Sequence, residues 1–131
     1  MKWFTLDELT HSNTAIARGI DNTPTEEAKK NLTQLVDKIL DPLRDMYGKP
    51  IYVNSGYRSE ALNEAVGGSK TSGHLLGTAA DIDTRTRAGN KVIFDLIKHN
   101  FTFDQLIDEK DYSWIHIDFN PKRLRNQILH L

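Results

Sequence analysis

The sequence predicts an α+β fold, a small antiparallel sheet packed against helices. Two observations carry this. The first half holds a long run with apolar residues at helical spacing, and the second half holds short β-branched and aromatic runs joined by polar turns. Helices followed by hairpin-linked strands fit an α+β architecture better than alternating βα units. With 131 residues, 38% of them hydrophobic and 27% charged, the chain is long enough to bury one core, and a single domain over 1–131 is expected.

The elements follow in order. Thr5, Leu6, Asp7 and Glu8 form a capping box, so a short helix starts there. Segment 11–24 is polar and reads as a loop, either surface padding or the lining of a cleft. A core helix is expected over 24–47, with Thr23 as its cap, Pro24 in its first turn and Glu26 and Glu27 at the positive end of its dipole. Leu32, Leu35, Val36, Ile39, Leu40, Leu43, Met46 and Tyr47 share one face of it. Pro42 is placed to kink this helix and Gly48 to end it.

Residues 50–53 read as an edge strand, because Pro50 cannot donate to a ladder. Ser59 caps a brief helix, and 67–73 is a glycine-rich loop. A strand over 79–84 places Asp81 and Asp83 on one side. Val92, Ile93, Leu96 and Ile97 mark a second amphipathic helix over 87–99. Strands over 103–107 and 114–119 are joined by a polar turn, and the tail NQILHL adds a last strand.

Composition narrows the chemistry. The net charge of −1 gives no general attraction to nucleic acid or to an anionic membrane. No stretch approaches the roughly 20 apolar residues of a membrane span, and the N-terminus lacks the apolar core of a signal peptide, so synthesis in the cytoplasm is expected. A monomer is expected. Cysteine is absent, so a metal must be held by His, Asp or Glu, and three such ligands with a vacancy is the catalytic zinc pattern.

Of the five histidines, His11, His99 and His130 read as surface residues. His74 follows the glycine-rich loop and precedes Asp81 across a run of small residues. Buried among alanines and an isoleucine, Asp81 needs either a cation or an arginine, and Arg58 is the available arginine. His116 lies in an alternating strand with Ile115 and Ile117 on the opposite face, where a lone histidine is usually a hydrogen-bonded core residue. Together His74, Asp81 and His116 make a candidate site for one zinc ion.

The string Ser55-Gly56-Tyr57-Arg58-Ser59, then Asn63 and Val66-Gly67-Gly68, then Ser72, His74, Gly77, Ala79 and Asp81, and finally Trp114-Ile115-His116, resembles the zinc peptidases of the M15 family. The likeness is nearest the D-alanyl-D-alanine carboxypeptidase and phage endolysin branch, and it covers roughly 5–120. It implies a Hedgehog/DD-peptidase-like fold and a peptidoglycan stem peptide as substrate. It implies His74, Asp81 and His116 as ligands of one Zn2+, Arg58 as the group that grips a substrate carboxylate or carbonyl, and Ser72 beside the substrate.

It also implies an acidic general base near the last ligand. Glu109 is the candidate, with Asp108 and Asp111 as fallbacks. Some relatives carry the acid three positions before the last histidine, where this chain has Ser113, and others a histidine two before it, where this chain has Trp114. Asp83 and Asp118 are candidates to orient a ligating imidazole, and Gln105 to bond into the cleft. The bond cut is either the terminal D-alanine or L-alanyl-D-glutamate. The wall is the expected site of action, with a phage or prophage lysin as one origin. The rival reading is a zinc-holding module without turnover, as in Hedgehog signalling domains.

Overall fold

Local capping decides where most helices begin. The computed structural model describes residues 1–131. Helices α1 (Leu6–Thr10), α2 (Asn13–Arg18), α3 (Glu26–Leu35) and α4 (Asp41–Tyr47) come first, then strand β1 (Tyr52–Ser55), helices α5 (Glu60–Ala65) and α6 (Gly73–Leu76), strand β2 (Ala79–Asp83), helix α7 (Arg87–Asn100) and the strands β3 (Gln105–Glu109), β4 (Trp114–Asp118) and β5 (Gln127–His130). The side chains of Thr5, Ser12, Thr25, Ser59, Ser72 and Thr86 each accept from a backbone N–H in the first turn of the helix that follows.

Three local expectations change. Segment 11–24 contains α2, because Ser12 caps it and Gly19 closes it in the left-handed region. The core helix starts at Glu26 with Thr25 as its cap, so Thr23 and Pro24 lie before it; the Thr23 hydroxyl is instead spent on Asp21. The run through Pro42 carries a π-helical turn over Val36–Leu40, with the N–H of Asp41 reaching back to the carbonyl of Val36. Pro42 has no N–H to give the preceding turn, and the wider turn absorbs the mismatch.

The sheet order is β1-β2-β4-β3-β5, so β1 and β5 are its edges. All pairings are antiparallel except β3–β5, which is parallel. The tail therefore returns to run alongside β3, with Asn126 at φ 50 turning it in. One face is apolar: Ala80, Ile82, Leu106, Ile115 and Ile117 are fully buried with Leu32, Leu35, Ile39, Leu43, Ile93 and Ile97 from the long helices. Each of these leucine and isoleucine side chains contributes about 1.5–3 kcal/mol. The alternate positions Asp81, Ile107, Glu109, His116 and Asp118 are left for the other face.

The β3–β4 connection is unusual. Lys110, Asp111 and Tyr112 all have positive φ, at 48, 55 and 61, and the N–H of Ser113 donates to the carbonyl of Glu109. No helix is long and apolar enough to cross a membrane.

Gly56 has no room for a side chain. A Cβ there would lie 2.2 Å from the carbonyl oxygen of Leu9, where Tyr57 N–H donates to that same oxygen at 2.7 Å. The Gly56→Ala variant is expected to lose about 2–3 kcal/mol of stability, as overpacking against backbone does. Urea denaturation followed by circular dichroism checks this.

Candidate metal centre and cleft

The register of the two central strands makes the site. Asp81 on β2 and His116 on β4 are direct cross-strand partners, and Ile115 and Ile117 point to the core. Alternation alone therefore aims both polar side chains at the solvent-side face. His74 arrives from α6, whose start is fixed by Ser72 Oγ accepting from the His74 N–H at 3.1 Å. The ligand atoms of His74, Asp81 and His116 all lie within 4.8 Å of one another. His74 Nε2 stands 3.4 Å from one Asp81 oxygen and His116 Nδ1 2.9 Å from the other.

The tautomer of His74 is set. Its Nδ1 donates to the carbonyl of Gly56 at 2.6 Å, which leaves Nε2, facing Asp81, as the ring's ligand atom once that nitrogen carries no proton. That is the arrangement a ligating imidazole needs. Arg58 makes no ion pair with Asp81. Its Nη1 donates to Asn63 Oδ1 at 3.2 Å, and its buried Nε has no partner. So the arginine alternative for Asp81 does not hold in the geometry, and the two imidazoles and the carboxylate are left to each other. Two nitrogens and one oxygen, one tautomer fixed, suit a divalent cation of zinc's preferences.

The charges agree. Burial disfavours the charged form of Asp81, yet the hydrogen bonds from His116 and His74 outweigh it and hold the carboxyl well below the usual range. Burial likewise opposes a charge on His116, and the Asp81 carboxylate overrides it, raising the imidazole above 6.5. In the metal-free protein this raised value adds stability below the ordinary histidine range, which fades as pH rises through the elevated value. A cation must displace that proton. Zinc affinity is therefore expected to fall as pH drops through and below the raised histidine value, which competition against a chelator at each pH measures.

A cleft of about 650 Å3 opens over the triad. Arg58, Ser72, Gln105 and Glu109 all line it. Glu109 accepts from Trp114 Nε1 at 2.8 Å through Oε2, across the first rung of the hairpin. Gln105 lines the cleft while its amide nitrogen donates to Gln127 at 2.7 Å. Asp108 points away, is buried, and pairs with His130, which stays exposed at the surface. Asp111 is exposed and gripped at two points by Arg87. Neither borders the cleft.

Asp83 accepts from Arg85 N–H and Asn90 Nδ2 and meets no ligating imidazole, because the chain leaves the sheet there. Asp118 does border the cleft; burial pushes its carboxyl up, the Thr78 hydrogen bond opposes this, and its Oδ1 has no partner.

The M15 peptidase family model matches residues 2–118, which contain the triad, Arg58 and Glu109. The chain belongs to the M15 family. Within the M15 family it is similar to the zinc D-Ala-D-Ala carboxypeptidase of Streptomyces albus G, with 33% identity over 100 residues that cover 76% of this chain and 38% of that protein. The chain thus spans well under half the length of that curated relative. Beyond the M15 match lie two further cleft residues, Arg123 and Arg125. Sequence reasoning passed over them, because charged residues in a polar tail read as solvated. It also passed over Asn22, whose amide nitrogen donates to the carbonyls of Thr10 and Tyr57 and whose oxygen accepts from Ser59 N–H, bracing Arg58 from behind.

Proposed function

We propose that the chain is a zinc-dependent peptidase acting on the stem peptides of bacterial peptidoglycan, and that it releases a terminal D-alanine. The observation that carries the reading is the convergence of two imidazoles and a carboxylate within 4.8 Å, in one cleft with Arg58 and Glu109. His74, Asp81 and His116 would hold one Zn2+, which when bound polarises a peptide carbonyl and acidifies water.

The remaining work falls to the chain's own side chains. Arg58 offers an unpartnered, buried Nε beside the triad, and a guanidinium pairs with a terminal carboxylate through two donors. That pairing fixes the substrate's C-terminal end. Glu109 takes a proton from the attacking water and returns it to the leaving amine. Trp114 holds one Glu109 oxygen and so aims the other into the cleft. Ser72 holds the His74 backbone and lines the cleft beside the substrate. The name of the Streptomyces albus G relative favours the carboxypeptidase cut over the L-alanyl-D-glutamate cut. The site of action is the cell wall, and a phage lysin is the origin that suits the endopeptidase outcome.

Incubating the zinc-loaded protein with stem pentapeptide and identifying products by mass tests this. Free D-alanine with a tetrapeptide is expected. Free L-alanine with a shortened peptide moves the assignment to the endopeptidase. Zinc retention with no cleavage across about pH 5–9 overturns the peptidase reading in favour of a Hedgehog-like binding module.

A further inference from the structure

The cleft holds more positive charge than the peptidase reading uses. Arg123 and Arg125 precede β5 at one edge of the sheet, whereas Arg58 follows β1 at the other, and the ligand strands β2 and β4 lie between. All three arginines line the same cleft. Arg123 and Arg125 converge on Asp104, which is fully buried at the start of β3. Arg125 engages it twice, through Nε at 2.7 Å and Nη2 at 3.2 Å, and its backbone N–H adds a third contact at 3.4 Å. Arg123 touches it only through Nε, at 3.3 Å.

One buried carboxylate needs one bidentate arginine, and Arg125 already supplies that. Arg123 is then surplus to the structural requirement. Both terminal nitrogens of Arg123 and the Nη1 of Arg125 make no hydrogen bond within the chain. The cluster sets two guanidinium groups on one fully buried carboxylate, and the Asp118 carboxyl, whose charged form burial disfavours, also acts on Arg125. The unpaired donors border the cleft. Asp104 fixes the guanidinium planes from behind, which lowers the ordering cost of gripping a ligand.

We propose that Arg123 and Arg125 form a second carboxylate subsite, taking an acidic side group of the substrate on the far side of the metal triad from Arg58. This rests on the stem-peptide reading, and it names the ligand more closely. A γ-linked D-glutamate leaves its own α-carboxylate free, so a lysine-type stem pentapeptide carries two carboxylates, one for each arginine site. Asp104 is a positioning residue and does not touch the substrate.

The test compares this pentapeptide with the same peptide amidated at the glutamate α-carboxyl. Binding is measured by calorimetry on the metal-free protein, where no turnover intervenes, and hydrolysis is followed separately on the zinc-loaded protein. The free acid is expected to bind roughly 10- to 100-fold more tightly than the amide, the range of a charge-assisted pair. Arg123→Gln is expected to erase most of that preference, the free acid losing far more affinity than the amidated peptide, and Arg123→Lys to restore part of it. Equal binding of the two peptides by the unmodified protein, no binding of either, or an unchanged preference in Arg123→Gln overturns the subsite. A binding preference without hydrolysis sinks the peptidase reading and leaves the subsite standing. Hydrolysis with no preference does the reverse.

Discussion

Asp81→Asn is expected to abolish zinc retention while the fold survives. The substitution keeps the shape of the side chain and removes its charge, so the antiparallel pairing of β2 and β4 is left intact. What disappears is the single anion of a donor set that otherwise consists of two neutral imidazoles. Loss of an outer partner of a metal ligand costs roughly 10–100-fold in affinity, and loss of the ligand's own charge should exceed that. The change also acts on the metal-free state. Asp81 is the strongest of the groups that raise the His116 pKa against burial, so in the variant only the weaker pull of Asp118 and Glu109 opposes burial and its proton affinity drops. Elemental analysis after dialysis, beside a far-ultraviolet circular dichroism spectrum, reads the two effects apart. A variant that still retains stoichiometric zinc would remove Asp81 from the site.

Glu109→Gln should have the opposite signature, with metal content kept and turnover lost. Glu109 is no member of the triad, and its Oε2 is occupied by the Trp114 indole at 2.8 Å. A glutamine retains an oxygen for that indole but cannot accept a proton. In the proposed mechanism Glu109 is the general base, whose loss is worth about 10²–10⁴ in kcat, and KM should barely move because that mechanism gives the anchoring of substrate to Arg58. If kcat falls less than about tenfold, proton transfer is not limited by this residue. Trp114→Phe provides an internal check: it frees the carboxylate to rotate without removing it, so a smaller fall in kcat is expected.

Much of this was legible in the chain because it is written in local signals. The β-alternation of Trp114 to Asp118 put His116 on the face opposite two isoleucines, and the cap at Ser59 and the apolar spacing of Val92, Ile93, Leu96 and Ile97 marked helices that form where expected. The strand that carries Asp81 was readable, whereas the short helix α6 that carries His74 was not. Tertiary pairings were not readable. Nothing local indicates that β5 runs parallel to β3, since that pairing is set by the turn at Asn126 and by side-chain burial at a distance. The same holds for Asp108, which looks like a turn acid until His130 arrives beside it. Arg123 and Arg125 acquire meaning only from Asp104, some twenty residues earlier, whose complete burial no spacing rule announces. The π-helical turn before Pro42 belongs with these, as a helical periodicity cannot distinguish a kink from a widened turn.

The hairpin that presents Glu109 is sprung. Three successive non-glycine residues held at positive φ cost about 1–2 kcal/mol apiece, and the rung they load is the one joining Glu109 to Trp114. On gentle warming that rung should fray before the helical layer yields, so activity should decline at temperatures where the circular dichroism of the helices is still unchanged. Heat sensitivity in this protein would then report on a few residues at one sheet end, and not on the melting of the whole chain.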